Sequence, residues 1–152
     1  MSEPAPSIRR ATEEDLPAVE ACAGAAYAVY VERIGREPAP MVADFASQIR
    51  AGQAFVLDDG GAVLGYVVFY PQGDHLHLEN VAVLPAHHGW GLGGRLIGFV
   101  EEAARGRGLA AVELYTNLKM HENLRMYPRL GYVETGRRRE DGFDRVYFRK
   151  EV

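Results

Sequence analysis

Apolar residues in the N-terminal third of the chain recur near the period of an α-helix. They predict a first helix over about residues 13–30, and residues 12–15 have the spacing of a capping box at its start. A short strand is expected before this helix, over residues 8–10. Glycine and prolines predict a loop over residues 35–40, and a second, shorter helix is expected over residues 41–50.

The middle of the chain has the composition and turn chemistry of β-strands. Strands are predicted over residues 54–58 and 62–70, and Asp59-Gly60-Gly61 between them is typical of a hairpin turn. Residues 71–74 predict a second turn, which a strand over residues 75–84 follows.

From Gly91 onwards the apolar spacing changes to that of a helix. The predicted elements are a helix from Gly91 to Gly106 or Gly108, a strand over 110–116, a helix over 123–130, and hairpin strands over 132–139 and 145–150. Pro128 lacks a backbone donor, so a distorted turn is expected at Tyr127.

These elements follow one another in the order β-α-α-β-β-β-α-β-α-β-β. The strand–helix–strand unit over residues 75–116 predicts two parallel neighbours, whereas the hairpins are antiparallel. We therefore predict an α/β fold with a mixed, mostly antiparallel sheet flanked by helices. It forms one domain over residues 7–152, with a flexible N-terminal tail over residues 1–6.

Composition and charge exclude several classes of function. Hydrophobic residues make up 47% of the 152-residue chain, which is enough for a core. The net charge of -4 argues against nucleic-acid binding. No apolar run approaches the roughly 20 residues of a membrane span. Residues 1–6 lack the regions of a signal peptide, so the cytoplasm is the expected location. Cys22, the single cysteine, is expected to be a small buried hydrophobe.

The most informative segment is the glycine-rich turn His88–Arg95, which follows a strand and opens a helix. The first turn of a helix has free N–H groups and a partial positive charge, so this turn predicts a phosphate or pyrophosphate site. A turn that only aids packing is the alternative. The segment also satisfies the dinucleotide fingerprint G-x-G-x-x-G. We do not favour that interpretation, because residues 85–88 intervene after the strand and Glu113 lies inside its own strand.

Two motifs resemble the GNAT superfamily of N-acetyltransferases. The first is Val83-Leu84-Pro85 followed by residues 88–93, in which Gly91 and Gly93 match the family pattern and His88 replaces its usual Gln or Arg. The second runs from Asn123 through Tyr127 to Gly131-Tyr132 and is similar to the family's N-x-x-x-Y-x-x-x-G-[F/Y] ending. The resemblance covers about residues 7–150.

The resemblance implies that acetyl-CoA is the cosubstrate and lies in a cleft where two central parallel strands splay apart. Backbone groups around Val81 would bind its pantetheine arm, and the amides of the glycine-rich turn its pyrophosphate. The full implied set is Val81, Ala82, Val83, His88, Gly89, Trp90, Gly91, Leu92, Gly93, Gly94, Arg95, Asn117 and Asn123. No metal is expected.

Acetyl transfer to an amine needs a base for the ammonium group and an acid near the leaving thiolate. Tyr127 is the candidate acid, with packing on its short helix as the alternative role. Glu79 is the candidate base, acting through a water, and a solvated strand carboxylate is the alternative. His75 and His77 share its face by alternation and could relay a proton or only cover the sheet. Three such residues on one flat strand rarely complete a metal site.

The acceptor is less well defined by the sequence. We predict a primary amine of a small molecule or a protein. Tyr27, Tyr30 and the loop over residues 33–40 are its expected walls by analogy with the family. The run Arg137-Arg138-Arg139 is expected to be a solvated strand end or to attract an anionic substrate. A module that binds acetyl-CoA without turnover is the alternative function, and a homodimer is an open alternative for the assembly.

Overall fold

The computed structural model describes residues 6–152, and the predicted order of elements is confirmed. The expected N-terminal tail therefore lies outside the described residues except for Pro6, and the domain bounds stay a prediction. The elements are β1 Ser7–Arg10, α1 Leu16–Ile34, α2 Phe45–Arg50, β2 Ala54–Asp58, β3 Val63–Gln72, β4 His75–Val83, α3 Leu92–Gly106, β5 Ala111–Asn117, α4 His121–Arg129, β6 Val133–Glu140 and β7 Phe143–Glu151.

The strands form a seven-stranded sheet in the order β1-β2-β3-β4-β5-β7-β6. The pair β4 and β5 is parallel and the other pairs are antiparallel, which confirms the predicted mixed sheet. The parallel pairing covers only His75 to His77 on β4 and Ala111 to Glu113 on β5. Beyond these residues the two strands separate, and this separation creates the cleft described below.

Helices cover both faces of the sheet and bury two apolar clusters. Under α3 and α4 the fully buried side chains include Leu96 and Val100. Under α1 and α2 they include Val19 and Cys22. Each fully buried aliphatic side chain contributes about 1.5–3 kcal/mol relative to an exposed one. Cys22 is buried, so the prediction of a small buried hydrophobe is confirmed, and this burial raises the pKa of its thiol to about 12.

Several element ends differ from the predictions because side chains cap them. The first helix starts later, at Leu16, after a 3-10 turn in which the Asp15 carboxylate accepts the N–H of Thr12 at 2.7 Å. The second helix is also shorter than predicted. It begins at Phe45 because the Asp44 carboxylate accepts the N–H of Ser47 at 3.1 Å.

Two proline-containing segments also differ from the predictions. Strand β3 continues through Pro71 to Gln72, which leaves only Gly73 and Asp74 in the turn. The prediction of a distorted turn at Tyr127, before Pro128, is wrong, because α4 remains helical from His121 to Arg129. Pro128 lacks only the bond from its own nitrogen to the Leu124 carbonyl, and the Leu130 N–H still bonds to the Met126 carbonyl, so the helix continues past the proline to Arg129. In residues 6–152, no helix is both long enough and apolar enough to cross a membrane.

A β-bulge at Glu79 interrupts the regular alternation of β4. Val68 pairs with Asn80 and Phe69 with Leu78, so Glu79 is an extra residue on β4. Leu78 therefore keeps its place in the cluster under α3, whereas Asn80 turns to the opposite face, towards α1. This bulge explains why Asn80 occupies a position that simple alternation assigns to the apolar face.

Candidate active site

A cavity of about 270 Å³ lies where β4 and β5 separate. It contains five of the sequence-predicted site residues, contributed by three elements: Glu79, Val81, Asn117, Asn123 and Tyr127. Residues of the loop before α2 and of the β6–β7 hairpin complete its wall. The fold thus brings the candidate acid and the candidate base into one cavity, although 48 positions separate them in the chain.

The glycine-rich turn has the geometry of an anion site at the start of α3. Gly91 caps the helix in the left-handed region with a φ of 75°. The first bond from the helix back to this cap is the one from the Arg95 N–H to the Gly91 carbonyl, at 3.1 Å. The amides of Leu92, Gly93 and Gly94 precede it and have no intrahelical partner. A Cβ built on Gly91 or Gly93 would meet nothing within 4 Å, so the space beside these glycines is open.

Three residues of this turn have contacts other than backbone donation to a phosphate. The Arg95 amide is used within the helix, so only its exposed side chain can reach an anion. The His88 ring donates from Nε2 to the Val83 carbonyl at 2.8 Å, which ties the turn to the end of β4. Trp90 is 65% exposed and packs edge-on against His87, with ring centroids 4.8 Å apart.

Strand β4 has no partner on the β5 side beyond His77 within the described residues. Val81, Ala82 and Val83 lie on this open stretch. Helix α1 holds this stretch of β4 in position, because the Tyr27 hydroxyl lies 3.0 Å from the Val81 carbonyl. An unpaired strand edge offers backbone donors and acceptors to an extended ligand.

Asn80 is an important residue that the sequence analysis missed. Its Oδ1 accepts from the hydroxyls of Tyr27 at 2.9 Å and Tyr66 at 3.0 Å, and its Nδ2 donates to the Pro40 carbonyl at 2.9 Å. Asn80 therefore connects the bulged strand to α1 and to the loop that closes the cavity. A polar residue where alternation predicts an apolar one was the available signal.

Glu79 is held by two neighbours on the sheet. Its Oε2 accepts from His77 Nε2 at 2.9 Å and from the Tyr70 hydroxyl at 3.1 Å. Burial would raise the pKa of Glu79, but the hydrogen bonds from His77 and Tyr70 and the positive charge of Arg145 outweigh it. The pKa of Glu79 is therefore lowered, and the carboxylate stays ionised at neutral pH.

Tyr127 is 3% exposed and lies against the rings of Tyr132 and Phe148, each at a centroid distance of 5.7 Å. Burial, followed by repulsion from Tyr30, raises the pKa of Tyr127. The phenol therefore remains protonated and can donate a hydrogen bond. Within the described part of the chain, no group accepts or donates a hydrogen bond at its hydroxyl, while the residue lines the cavity.

The two predicted asparagines lie beside the cavity with part of their bonding capacity used. Asn123 donates from Nδ2 to the Thr116 hydroxyl at 3.2 Å. Asn117 accepts the N–H of Lys119 at 2.9 Å, which fixes the turn after β5. These bonds leave the Asn123 Oδ1 and the Asn117 Nδ2 free.

The predicted acceptor walls are right in part. Tyr27 and residues 38–40 line the cavity, but Tyr30 does not. The Tyr30 hydroxyl instead donates to Glu122 at 3.2 Å, and Arg33 pairs with the same carboxylate through two hydrogen bonds of 2.9 Å. These bonds fasten α1 to the start of α4, and those from Arg33 lower the pKa of Glu122 to about 2.

Strands β5 and β7 supply walls that the sequence analysis missed. Tyr115, Phe143 and Arg145 line the cavity. The Arg137–Arg139 run is exposed on the edge strand β6, as expected for a solvated strand end. Only the pairing of strands across the sheet brings Arg145, rather than this run, to the cavity.

The histidines of β4 contact acids rather than a common metal position. His77 is bonded to Glu79, whereas His75 Nδ1 lies 3.0 Å from Asp74 and 3.4 Å from Glu113. The Arg149 guanidinium pairs with both Asp74 and Glu113, so these acids already have a cationic partner.

Comparison with known proteins identifies the family. A family model described as the acetyltransferase (GNAT) family matches residues 19–132. The chain belongs to this family. An aminoalkylphosphonate N-acetyltransferase of Salmonella typhimurium is 34% identical over 82 residues, which cover 49% of this chain and 53% of that protein. The chain thus matches about half the length of this curated relative.

Solved GNAT structures share the fold over almost the whole chain. The ribosomal-protein-S18-alanine N-acetyltransferase of Escherichia coli is 24% identical in sequence. The structural match covers 97% of this chain and 94% of that chain, with a TM-score of 0.78. The yncA protein of Salmonella typhimurium, solved with its cofactor acetyl-CoA, is 18% identical, with the same coverage and a TM-score of 0.73. At these identities the likeness shows the GNAT fold alone.

Proposed function

We propose that this GNAT protein transfers the acetyl group of acetyl-CoA to a primary amine of a small molecule or peptide, by direct attack in a ternary complex. The observation that carries the proposal is the single cavity between the separated strands β4 and β5, in which Glu79 and Tyr127 both lie. The named relatives act on amines of both kinds, an aminoalkylphosphonate and a ribosomal-protein alanine.

The cofactor-binding part of the proposal fits the residues present. The unpaired edge of β4 at Val81, Ala82 and Val83 would hold the pantetheine arm, as an additional strand would be held. The free amides of Leu92 to Gly94 and the open space beside the glycines suit a pyrophosphate. Bound acetyl-CoA supplies the thioester whose acetyl group is transferred.

The side chains around the turn would bind the rest of the cofactor. Gly89, with a φ of 85°, turns the chain towards the helix start. The exposed Trp90 ring and the Arg95 guanidinium are free to contact the nucleotide end. His88 would act by holding Val83, while Asn117 and Asn123 would contact the cofactor near the cavity.

Glu79 is the proposed base. Only about one in a thousand molecules of a free alkyl amine is neutral at pH 7, so the ammonium group must lose a proton before it can attack. An ionised Glu79 attracts the ammonium group and accepts its proton through a water. His77, hydrogen-bonded to the same carboxylate, offers the next step of a relay.

Tyr127 is the proposed acid. Its protonated hydroxyl would donate to the thioester sulfur as negative charge develops there. Direct attack is supported by the burial of Cys22 away from the cavity, in the core under α1, because the chain has no other thiol for a covalent step.

The test is release of free thiol from acetyl-CoA over a panel of primary amines, with acetylated products identified by mass spectrometry. We expect amine-dependent release that saturates with both substrates and double-reciprocal lines that intersect. Tight acetyl-CoA binding without release above the amine-free background would instead support a binding module without turnover.

The place of action and the assembly are part of the same proposal. We propose a cytoplasmic enzyme, a location in which a free thiol such as that of Cys22 stays reduced. A homodimer is the proposed alternative to a monomer, and light scattering during size-exclusion chromatography distinguishes them.

A further inference from the structure

Arg145 is a nearly buried arginine whose guanidinium has no carboxylate at hydrogen-bond distance. Its side chain is 12% exposed and lies over the Tyr115 ring, 4.4 Å from the centroid. The nearest carboxylate oxygens, of Glu140 and Asp141, are at 3.7 and 3.6 Å, longer than a charge-assisted hydrogen bond. Among residues 6–152 its one hydrogen-bond acceptor is the Tyr147 hydroxyl, which leaves most of its five N–H donors without a partner. The remaining donors are available to a ligand that supplies acceptors from inside the cavity.

The two neighbouring acids do not remove this need. The side chains of Glu140 and Asp141 are 38% and 82% exposed, so water weakens their attraction to Arg145. Glu140 also accepts a hydrogen bond from the Tyr147 hydroxyl. Arg145, in contrast, lines the cavity, where an anionic group would meet it away from bulk water.

Glu79 supplies the opposite charge in the same cavity. It is ionised, and the positive charge of Arg145 is one of the causes of its lowered pKa, so the two groups lie within electrostatic reach. The cavity also contains Asp44, but its side chain is at the exposed rim and already accepts the Ser47 N–H. The two charged groups of the cavity that are best shielded from water are therefore the anionic Glu79 and the cationic Arg145.

A ligand that satisfies both charges carries an ammonium group and an anionic group. The volume of about 270 Å³ lies below the roughly 300–1,000 Å³ of sites for drug-sized ligands, so the part of the acceptor that occupies it is small. An amine without an anionic group would leave the Arg145 donors unmatched. An amine with a second positive charge would be repelled by them.

We propose that the acceptor is a small zwitterionic amine, with a carboxylate or phosphonate a few bonds from the primary amine, and that Arg145 recognises the anionic group. The inference rests on the proposed acetyl transfer. In this arrangement the ammonium end lies at Glu79, next to Tyr127, and the anionic end pairs with the guanidinium through parallel hydrogen bonds.

The test compares amines that differ in the anionic group: β-alanine, 2-aminoethylphosphonate, propylamine and 1,3-diaminopropane. We expect the wild type to prefer a zwitterion over propylamine by about 10- to 100-fold in kcat/KM, the effect of hydrogen bonds to a charged group. Arg145→Met should reduce this ratio towards one. Arg138→Met is the matched control, because Arg138 also stacks on a tyrosine, 4.7 Å from the Tyr147 centroid, but is exposed and outside the cavity. It should keep the wild-type ratio.

Arg145→Lys retains the charge without the planar fork and should give an intermediate ratio, which keeps the test decisive if the methionine variant does not fold. The zwitterion with the higher kcat/KM, β-alanine or 2-aminoethylphosphonate, shows whether the site prefers a carboxylate or a phosphonate. A wild-type ratio near one, or an unchanged ratio in both Arg145 variants, would overturn the inference and leave the acetyl transfer standing.

Calorimetry with the CoA-loaded protein separates this inference from the proposed activity. If no amine is acetylated, the proposed function fails, yet binding of 2-aminoethylphosphonate or β-alanine still reports on Arg145. Binding that is at least about tenfold weaker in Arg145→Met than in Arg138→Met supports the site. Equal affinities in the two variants contradict it.

Discussion

Tyr127 and Tyr132 form an edge-to-face pair whose two hydroxyl groups have opposite surroundings. The rings are 5.7 Å apart at an angle of 71°. Tyr127 lines the cavity and its hydroxyl has no hydrogen-bond partner among residues 6–152, whereas the Tyr132 hydroxyl donates to Glu101 at 3.0 Å, beside a contact from Lys150 of the same length. Replacing each tyrosine by phenylalanine should therefore separate catalysis from stability.

Tyr127→Phe should lower the rate and leave the fold intact. The ring contacts remain and no hydrogen bond within the described fold is lost, so we expect the free energy of unfolding to change by less than about 0.5 kcal/mol. If the hydroxyl stabilises the leaving thiolate, its removal costs about 2.7–4 kcal/mol in the transition state, or roughly 100- to 1,000-fold in kcat.

Tyr132→Phe should have the reverse effect. It leaves the buried Glu101 with Lys150 as its remaining partner and should cost about 1–3 kcal/mol in the free energy of unfolding. Its kcat should stay close to that of the wild type, because the hydroxyl points to Glu101 rather than to the cavity.

The assay measures kcat by thiol release at saturating acetyl-CoA and amine, the affinity for acetyl-CoA by calorimetry, and stability by urea unfolding. The assignment of Tyr127 as the acid is wrong if Tyr127→Phe keeps its kcat within about twofold of the wild type. It is also wrong if both variants lose rate in proportion to their loss of stability.

Three further predictions follow from the structure. Gly93→Glu places a negative side chain in the open space beside the free amides and should weaken acetyl-CoA binding, measured by calorimetry, by about 100-fold or more. The control is Gly98→Glu, at an equally open glycine further along α3, which should keep the wild-type affinity. Equal affinities in the two variants would place the phosphate site elsewhere. The pKa of Glu79 is lowered from its usual 4.5, so Glu79 does not titrate between about pH 6 and 9. Glu79→Gln should therefore reduce kcat/KM without moving the ascending limb of the plot of kcat/KM against pH in that range. A displaced limb would show that Glu79 titrates there. Hydrogen bonds from Arg9 lower the Asp15 pKa from 3.8 to about 2, so this pair contributes stability above about pH 4 that is lost as the pH falls to 2. The difference in unfolding free energy between the wild type and Arg9→Gln, on the order of 1–2 kcal/mol at neutral pH, should shrink across that interval, and a constant difference would contradict the linkage.

The sequence by itself determined the order of the elements, the fold class and the family. These features depend on local information, namely the apolar period within each element and the turn chemistry between elements. The turn at Asp59-Gly60-Gly61 and the helix opening after Gly91 needed no knowledge of distant residues. The family resemblance of the two motifs is likewise confirmed by the match over residues 19–132.

The tertiary structure alone decided which side chains share the cavity. The bulge at Glu79 depends on how β4 pairs with β3, so simple alternation could not place Asn80. The entry of Arg145 into the cavity depends on the pairing of β5 with β7, which the order of the elements does not specify.

The same reason explains why Tyr30 and Arg33 were assigned to the acceptor wall. Their partner, Glu122, lies about 90 positions further along the chain, and no local pattern identifies it. Hydrogen bonds and ion pairs between distant segments form only after the sheet is assembled, because folding rather than sequence spacing brings the donors and acceptors together. The chemistry of the cavity was therefore predictable as a set of residue types, and its geometry was set by long-range contacts.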